Sequence, residues 1–184
     1  MEHFWQSIQG WAGGIDPVYH SLVRSAQDGA HFVEVGSWRG SSSAYMCVEI
    51  ANSGKQIKFD CVDTWRGSSD EQIHQTDPGV VNDTLFDEFN KNLERVKDYY
   101  TAHRMTSIEA SKLYQDASLD FVFIDAQHTY EAVTEDIKAW LPKVKSGGIL
   151  AGHDIFHIPV KKAVEEQLGT DYTDTGVCWI YAVK

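Results

Sequence analysis

The chain has 184 residues, 42% of them hydrophobic, and a formal net charge of −11. That length and apolar content suit one domain that builds its own core without disulfide staples. The acidic balance argues against nucleic acid as a partner, and no apolar run approaches the ~20 residues of a membrane-spanning helix.

The first residues lack a basic stretch followed by an apolar core, so no signal peptide is expected and the cytoplasm is the expected compartment. Cys47, Cys61 and Cys178 form no CxxC pair and are expected as small buried side chains in a reducing setting. Trp5, Ile8 and Trp11 have helical spacing and predict a helix over 3–11. Val18, Leu22 and Val23 predict a second over 17–27, begun by Asp16-Pro17 and set apart by Gly13-Gly14. A short apolar run predicts a strand at 31–35, and a helix follows at 41–52, ended by Gly54. Residues 58–63 alternate as a second strand. Residues 64–84 are polar and turn-rich, and are expected to form a mobile lid or acceptor wall. A helix over 84–97 is predicted from Leu85, Phe86, Phe89, Leu93 and Val96, then a strand at 98–103 and a short helix at 107–113. The run 119–125 reads as a buried strand ending in Asp125. An amphipathic helix over 129–144 is closed by Gly147-Gly148, and 149–154 is a further strand ending in Asp154. A helix at 159–168 starts on Pro159, and two short strands at 171–175 and 177–183 end the chain. Strands alternating with helices predict an α/β domain with a mostly parallel sheet.

The stretch 31–43 carries the strongest functional signal. An acid, Glu34, lies in the strand; the strand breaks at Gly36, and Gly40 leads into Ser41, Ser42 and Ser43 at a helix start. In an open α/β sheet, ligands bind at such turns, beyond the carboxyl ends of the strands. Asp63, at the end of the next strand, is placed to accept the two hydroxyls of a ribose. The dinucleotide fingerprint G-x-G-x-x-G needs a glycine where Trp38 stands, which disfavours a nicotinamide-dependent oxidoreductase.

The pattern Glu34-x-Gly36-x-x-x-Gly40 instead resembles the first motif of class I S-adenosylmethionine-dependent methyltransferases. The resemblance runs over about residues 30–184. It implies a Rossmann-like fold with a seven-stranded, mostly parallel sheet, an antiparallel C-terminal strand and helices on both faces. It implies S-adenosylmethionine as cofactor, bound by Glu34, Gly36, Ser37, Trp38, Gly40, Ser42, Asp63, Thr64 and Asp125. Ser107 and Ile108 would lie against the adenine. Trp38 would stack on the cofactor or wall it off.

The segments 124–131 and 148–154 are similar to a narrower set, the methyltransferase 24 type, related to catechol and macrolide-sugar O-methyltransferases. That similarity places a divalent metal on Asp125, His153 and Asp154, with Asp125, His128 and His153 as catalytic residues. Magnesium prefers oxygen ligands, whereas the His153 nitrogen suits manganese, iron or zinc. The alternative is a metal-free site with His128 or His153 as base, and the two acids could also serve only as helix caps. His31 and His103 are expected to be structural. The expected activity is O-methylation of a small-molecule or sugar acceptor. A nicotinamide enzyme and an inactive cofactor-binding module are the alternatives. Self-association stays open.

Overall fold

The computed structural model describes all 184 residues. Seven strands form one sheet: β1 (His31–Val35), β2 (Lys58–Asp63), β3 (Thr101–Arg104), β4 (Leu119–Ile124), β5 (Val144–Gly152), β6 (Thr173–Asp174) and β7 (Trp179–Ala182). Their spatial order is β3-β2-β1-β4-β5-β7-β6, and β7 alone runs against the rest. The expected fold class is the one observed.

Eight helices join and cover the strands: α1 (Asp16–Ser25), α2 (Ser41–Ser53), α3 (Gln72–Thr76), α4 (Pro78–Val81), α5 (Leu85–Asn92), α6 (Ser107–Ser111), α7 (Tyr130–Trp140) and α8 (Ile158–Leu168). The central strands are apolar on both faces, as a parallel sheet covered on both sides requires. Phe32, Phe59, Phe121 and Phe123 pack under α1, α2 and α5. Val33, Val62, Val122, Ile124 and Leu150 pack under α6, α7 and α8. The three cysteines are buried and free.

The structure departs from the sequence reading in its irregular parts. The predicted helix over 3–11 is only a 3-10 turn at Trp5–Ser7. Gly10 and Gly13 follow it, and Trp11 is 53% exposed rather than in the core. Residues 64–84 are not a plain loop. They hold α3 and α4, the latter capped by Asp77, whose carboxylate accepts from the Gly79 and Val80 amides. The predicted 84–97 helix stops at Asn92 and continues as a 3-10 segment, Glu94–Tyr99. Gly147 and Gly148 lie within β5 instead of ending α7, and the β4–β5 register shifts between Leu119 and Phe121.

On β2, Asp60 faces His31 Nε2 at 2.7 Å, the Tyr114 hydroxyl at 2.8 Å and His103 Nε2 at 3.5 Å. Both histidines therefore brace the sheet, away from the site.

Candidate active site

The carboxyl ends of β1, β2, β4 and β5 form one edge, and the site is built there. Gly36 ends β1 with φ +94°, and a Cβ on it would lie 1.8 Å from the Asp125 carbonyl oxygen. Only glycine lets the turns after β1 and β4 touch. Gly40 has φ +89° and packs against Leu93 and Phe89, so it shapes the turn into α2 without facing a cavity.

Glu34 also departs from expectation. It is 1% exposed, and its carboxylate accepts from the Tyr19 hydroxyl at 2.7 Å and from the Ser43 hydroxyl. Burial pushes its pKa up, against those hydrogen bonds. It lines neither cavity described below. Strand alternation turns it toward α1 and α2, where it ties β1 to both helices. A direct cofactor contact is therefore replaced by a buried brace under the glycine turn.

Asp63 holds two turns at once. One carboxylate oxygen accepts the Trp38 amide at 2.8 Å, the other the Trp65 amide at 2.7 Å. The Trp65 indole donates to the Trp38 carbonyl at 2.8 Å. Trp38 and Trp65 both have left-handed backbone, φ +47° and +51°, which bulky residues adopt only when held there. A carboxylate has about four lone-pair positions, so Asp63 keeps acceptor capacity for a ribose.

Two cavities meet at this edge and share Gly36, Trp38, His74, Asp125 and Ala126. The smaller, about 310 Å³, is lined by Asp63, Thr64, Met105, Ser107, Ile108 and Asp136 among others. The larger, about 690 Å³, takes in Ser37, Ser42, Trp11, His153, Asp154 and Phe156. Trp38 stacks on His74 at 4.0 Å, so this pair forms part of the wall common to both cavities. Ser107 does not offer a free hydroxyl: it donates to Asp136 and accepts from the Trp140 indole at 2.8 Å. Ser37 Oγ, Trp38 Nε1 and His74 Nε2 are buried without partners, which is the state of groups that a ligand satisfies.

In the larger cavity, β4 and β5 lie side by side and bring Asp125 and Asp154 together, as the strand order demands. His153 Nδ1 lies 3.1 Å from Asp154 and 3.6 Å from Asp125, while its Nε2 faces the Gly13 carbonyl at 3.2 Å. His128 joins them, its Nε2 3.0 Å from Asp154, though not aligned as a hydrogen bond. Ligand atoms of Asp125, His128 and Asp154 lie within 4.8 Å of one another. The ligand atoms that converge are thus those of Asp125, Asp154 and His128, which reaches in from the loop after β4; His153, expected as a ligand, lies 3.1 Å from Asp154 and 3.6 Å from Asp125 but falls outside that group. Two carboxylates and an imidazole fit manganese, iron or zinc better than magnesium.

Charge follows from the packing. Burial pushes Asp125 up, and the neighbouring imidazoles only partly counter it, leaving it at about 7. Asp154 is half-buried, but His128 and His153 outweigh the desolvation and hold it far below the usual carboxylate range. Burial alone would lower both histidines, yet the carboxylates raise each to about 9. Without an ion, the neighbouring carboxylates thus favour the charged form of both imidazoles.

The model of a methyltransferase domain, methyltransferase 24, matches residues 33–155. The chain belongs to this family. Solved structures share the fold. They include the O-methyltransferase NovP, at TM-score 0.68 and 16% identity, covering 92% of this chain and 79% of that one. An S-adenosylmethionine-dependent O-methyltransferase from Thermotoga maritima matches at TM-score 0.63 and 10% identity, covering 96% and 68%. A precorrin-6y C5,15-methyltransferase from Geobacter metallireducens matches at 0.65 and 14%, covering 96% and 95%. A curated relative, the uncharacterized protein y4gI of Sinorhizobium fredii, is 26% identical over 122 residues. Those residues are 66% of this chain and 13% of that protein.

Gly10 to Gly13 border the larger cavity, a place that sequence reading did not assign them, whereas Gly67, Ser68 and His74, which border the smaller, belong to the 64–84 segment expected as a lid or acceptor wall. The glycines around Trp11 were the available signal, since they break a helix that Trp5, Ile8 and Trp11 otherwise suggest. The 64–84 segment is latched down by Asp70, which accepts the His128 amide at 2.7 Å, and by Gln127 donating to Ser69 at 3.1 Å.

Proposed function

We propose that this chain transfers a methyl group from S-adenosylmethionine to a hydroxyl oxygen of a small-molecule or sugar acceptor. The observation that carries this reading is the meeting of two cavities at Gly36 and Asp125, one with a ribose-type acid and the other with a titratable cluster. Asp63 would hold the ribose, with Thr64, Met105 and Ile108 around the nucleoside. Ser37, Trp38 and Ser42, at the start of α2, would border the amino-acid end. When bound, S-adenosylmethionine supplies an electrophilic methyl group on sulfonium. The residues position the acceptor oxygen in line with it and exclude water.

Asp125 lines both cavities, which supports its carboxylate as the group that would receive the acceptor's proton. His128 and His153 fix Asp154 and stop the two acids from repelling each other. The same cluster would hold a divalent ion on Asp125, Asp154 and His128, with His153 beside them. Such an ion would acidify an acceptor hydroxyl.

The test is methyl transfer from labelled cofactor to a panel of hydroxylated acceptors, before and after exhaustive chelation. Asp125→Asn is expected to lower kcat at least ~100-fold while S-adenosylhomocysteine still binds. A fully active Asp125→Asn variant would defeat the assignment. Undiminished activity after chelation, with no metal by elemental analysis, would remove the ion from the account.

A further inference from the structure

His128 stands between two groups of acids. Its Nε2 is 3.0 Å from Asp154, while its Nδ1 is 3.3 Å from Glu71 and 3.5 Å from Asp70. Both ring nitrogens are nevertheless buried without an aligned hydrogen bond. The ring's ligand atoms converge with Asp125 and Asp154 on one side and with Asp70 and Glu71 on the other. The first two acids follow β4 and β5, whereas the second two belong to the 64–84 segment.

One arrangement lets the ring serve both sides. An imidazole binds a metal through one nitrogen as a neutral ring, so its other nitrogen keeps a proton. That second N–H commonly donates to a carboxylate, which fixes the ring's orientation and makes it a better ligand. With Nε2 turned to Asp154, the nitrogen left to donate is Nδ1, and it faces the segment.

The segment's two acids are not equivalent. The Asp70 carboxylate is already engaged, accepting the His128 amide at 2.7 Å and the Ser68 hydroxyl. Glu71 stands just before α3, yet its side chain makes no capping bond to that helix. Its carboxylate forms no ion pair but the one with His128. It lines the larger cavity together with Ile73 and His74 of α3.

We propose that Glu71 is a positioning residue for the ion, accepting the Nδ1–H of a metal-bound His128 and thereby coupling ion binding to the order of the acceptor wall. This rests on the reading of Asp125, Asp154 and His128 as the ion's ligands. Coupling of this kind is reciprocal: a segment that helps to hold the ion is itself held by it.

The experiment is calorimetric titration of manganese, and in parallel zinc, into the chelated full chain and into Glu71→Ala and Asp154→Asn variants. Glu71→Ala is expected to weaken binding about 10- to 100-fold, and Asp154→Asn, which removes a ligand, to weaken it further. Because Glu71 caps nothing, the urea midpoint of metal-free Glu71→Ala should match that of the parent. Manganese should also slow amide exchange over residues 70–77 in the parent but not in Glu71→Ala. Equal affinity in the parent and Glu71→Ala, or equal slowing of exchange in both, would overturn the proposal and leave the ion site standing. A larger loss in Glu71→Ala than in Asp154→Asn would place the ion on Asp70 and Glu71 and overturn it as well. A lower metal-free midpoint in Glu71→Ala would make the role structural. No binding of either metal by the parent would remove the ion itself, and this role with it.

Discussion

Asp60 and Asp63 lie three residues apart on β2, and burial drives both carboxyls up. Their partners decide the outcome. Asp63 receives mainly backbone amides and stays raised. Asp60 receives His31 and Tyr114 hydrogen bonds and the charge of His31 and His103, which together hold it below its ordinary value. The folded pKa of Asp60 is thus below the ~3.9 of an unfolded chain. Its contribution to stability is complete above about pH 4 and is lost as pH falls through the folded value. Asp60→Asn is therefore expected to cost about 1–3 kcal/mol at pH 6, with the difference from the parent shrinking toward pH 2. Urea unfolding at both pH values measures this, and an equal penalty at each would remove the charge from the explanation.

Among the elements, the segment 64–84 departs most from its sequence signature. Helices of four and five residues, as α4 and α3 are, show no apolar periodicity for a sequence to reveal. Their anchors are also far away in the chain. Arg39 binds Asp77, Glu88 and Gln9, joining this segment to α5 and to the N-terminal residues. Arg39→Ala is expected to speed amide exchange across residues 70–81 while leaving β1 and β4 protected. Unchanged exchange there would mean that other contacts hold the segment. By contrast, β1, β2 and β4 were legible because each is a short apolar run closed by glycine or an acid. Gly36, Asp63 and Asp125 could be placed for the same reason. Glu34 could not, because its outcome depends on Tyr19 and Ser43 reaching it from two different helices. His128 is a candidate by position alone, and the charge around it, set by acids from three segments, emerges only once the chain is folded.

For the whole molecule, the strand order joins these pieces. Placing β1 between β2 and β4 sets the glycine turn between Asp63 and Asp125. Placing β5 beside β4 adds His153 and Asp154. The sheet thereby makes one edge out of residues spread from Gly36 to Asp154. No helix is long and apolar enough to cross a membrane. The central claim is that this edge binds S-adenosylmethionine with its ribose on Asp63. Calorimetric titration of S-adenosylhomocysteine into the parent chain and into a folded Asp63→Ala variant tests it most directly. The account expects saturable binding by the parent and an affinity about 10- to 100-fold weaker in the variant, through loss of a charged acceptor for the ribose hydroxyls. No binding by the parent, or equal affinity in the two proteins, would contradict it.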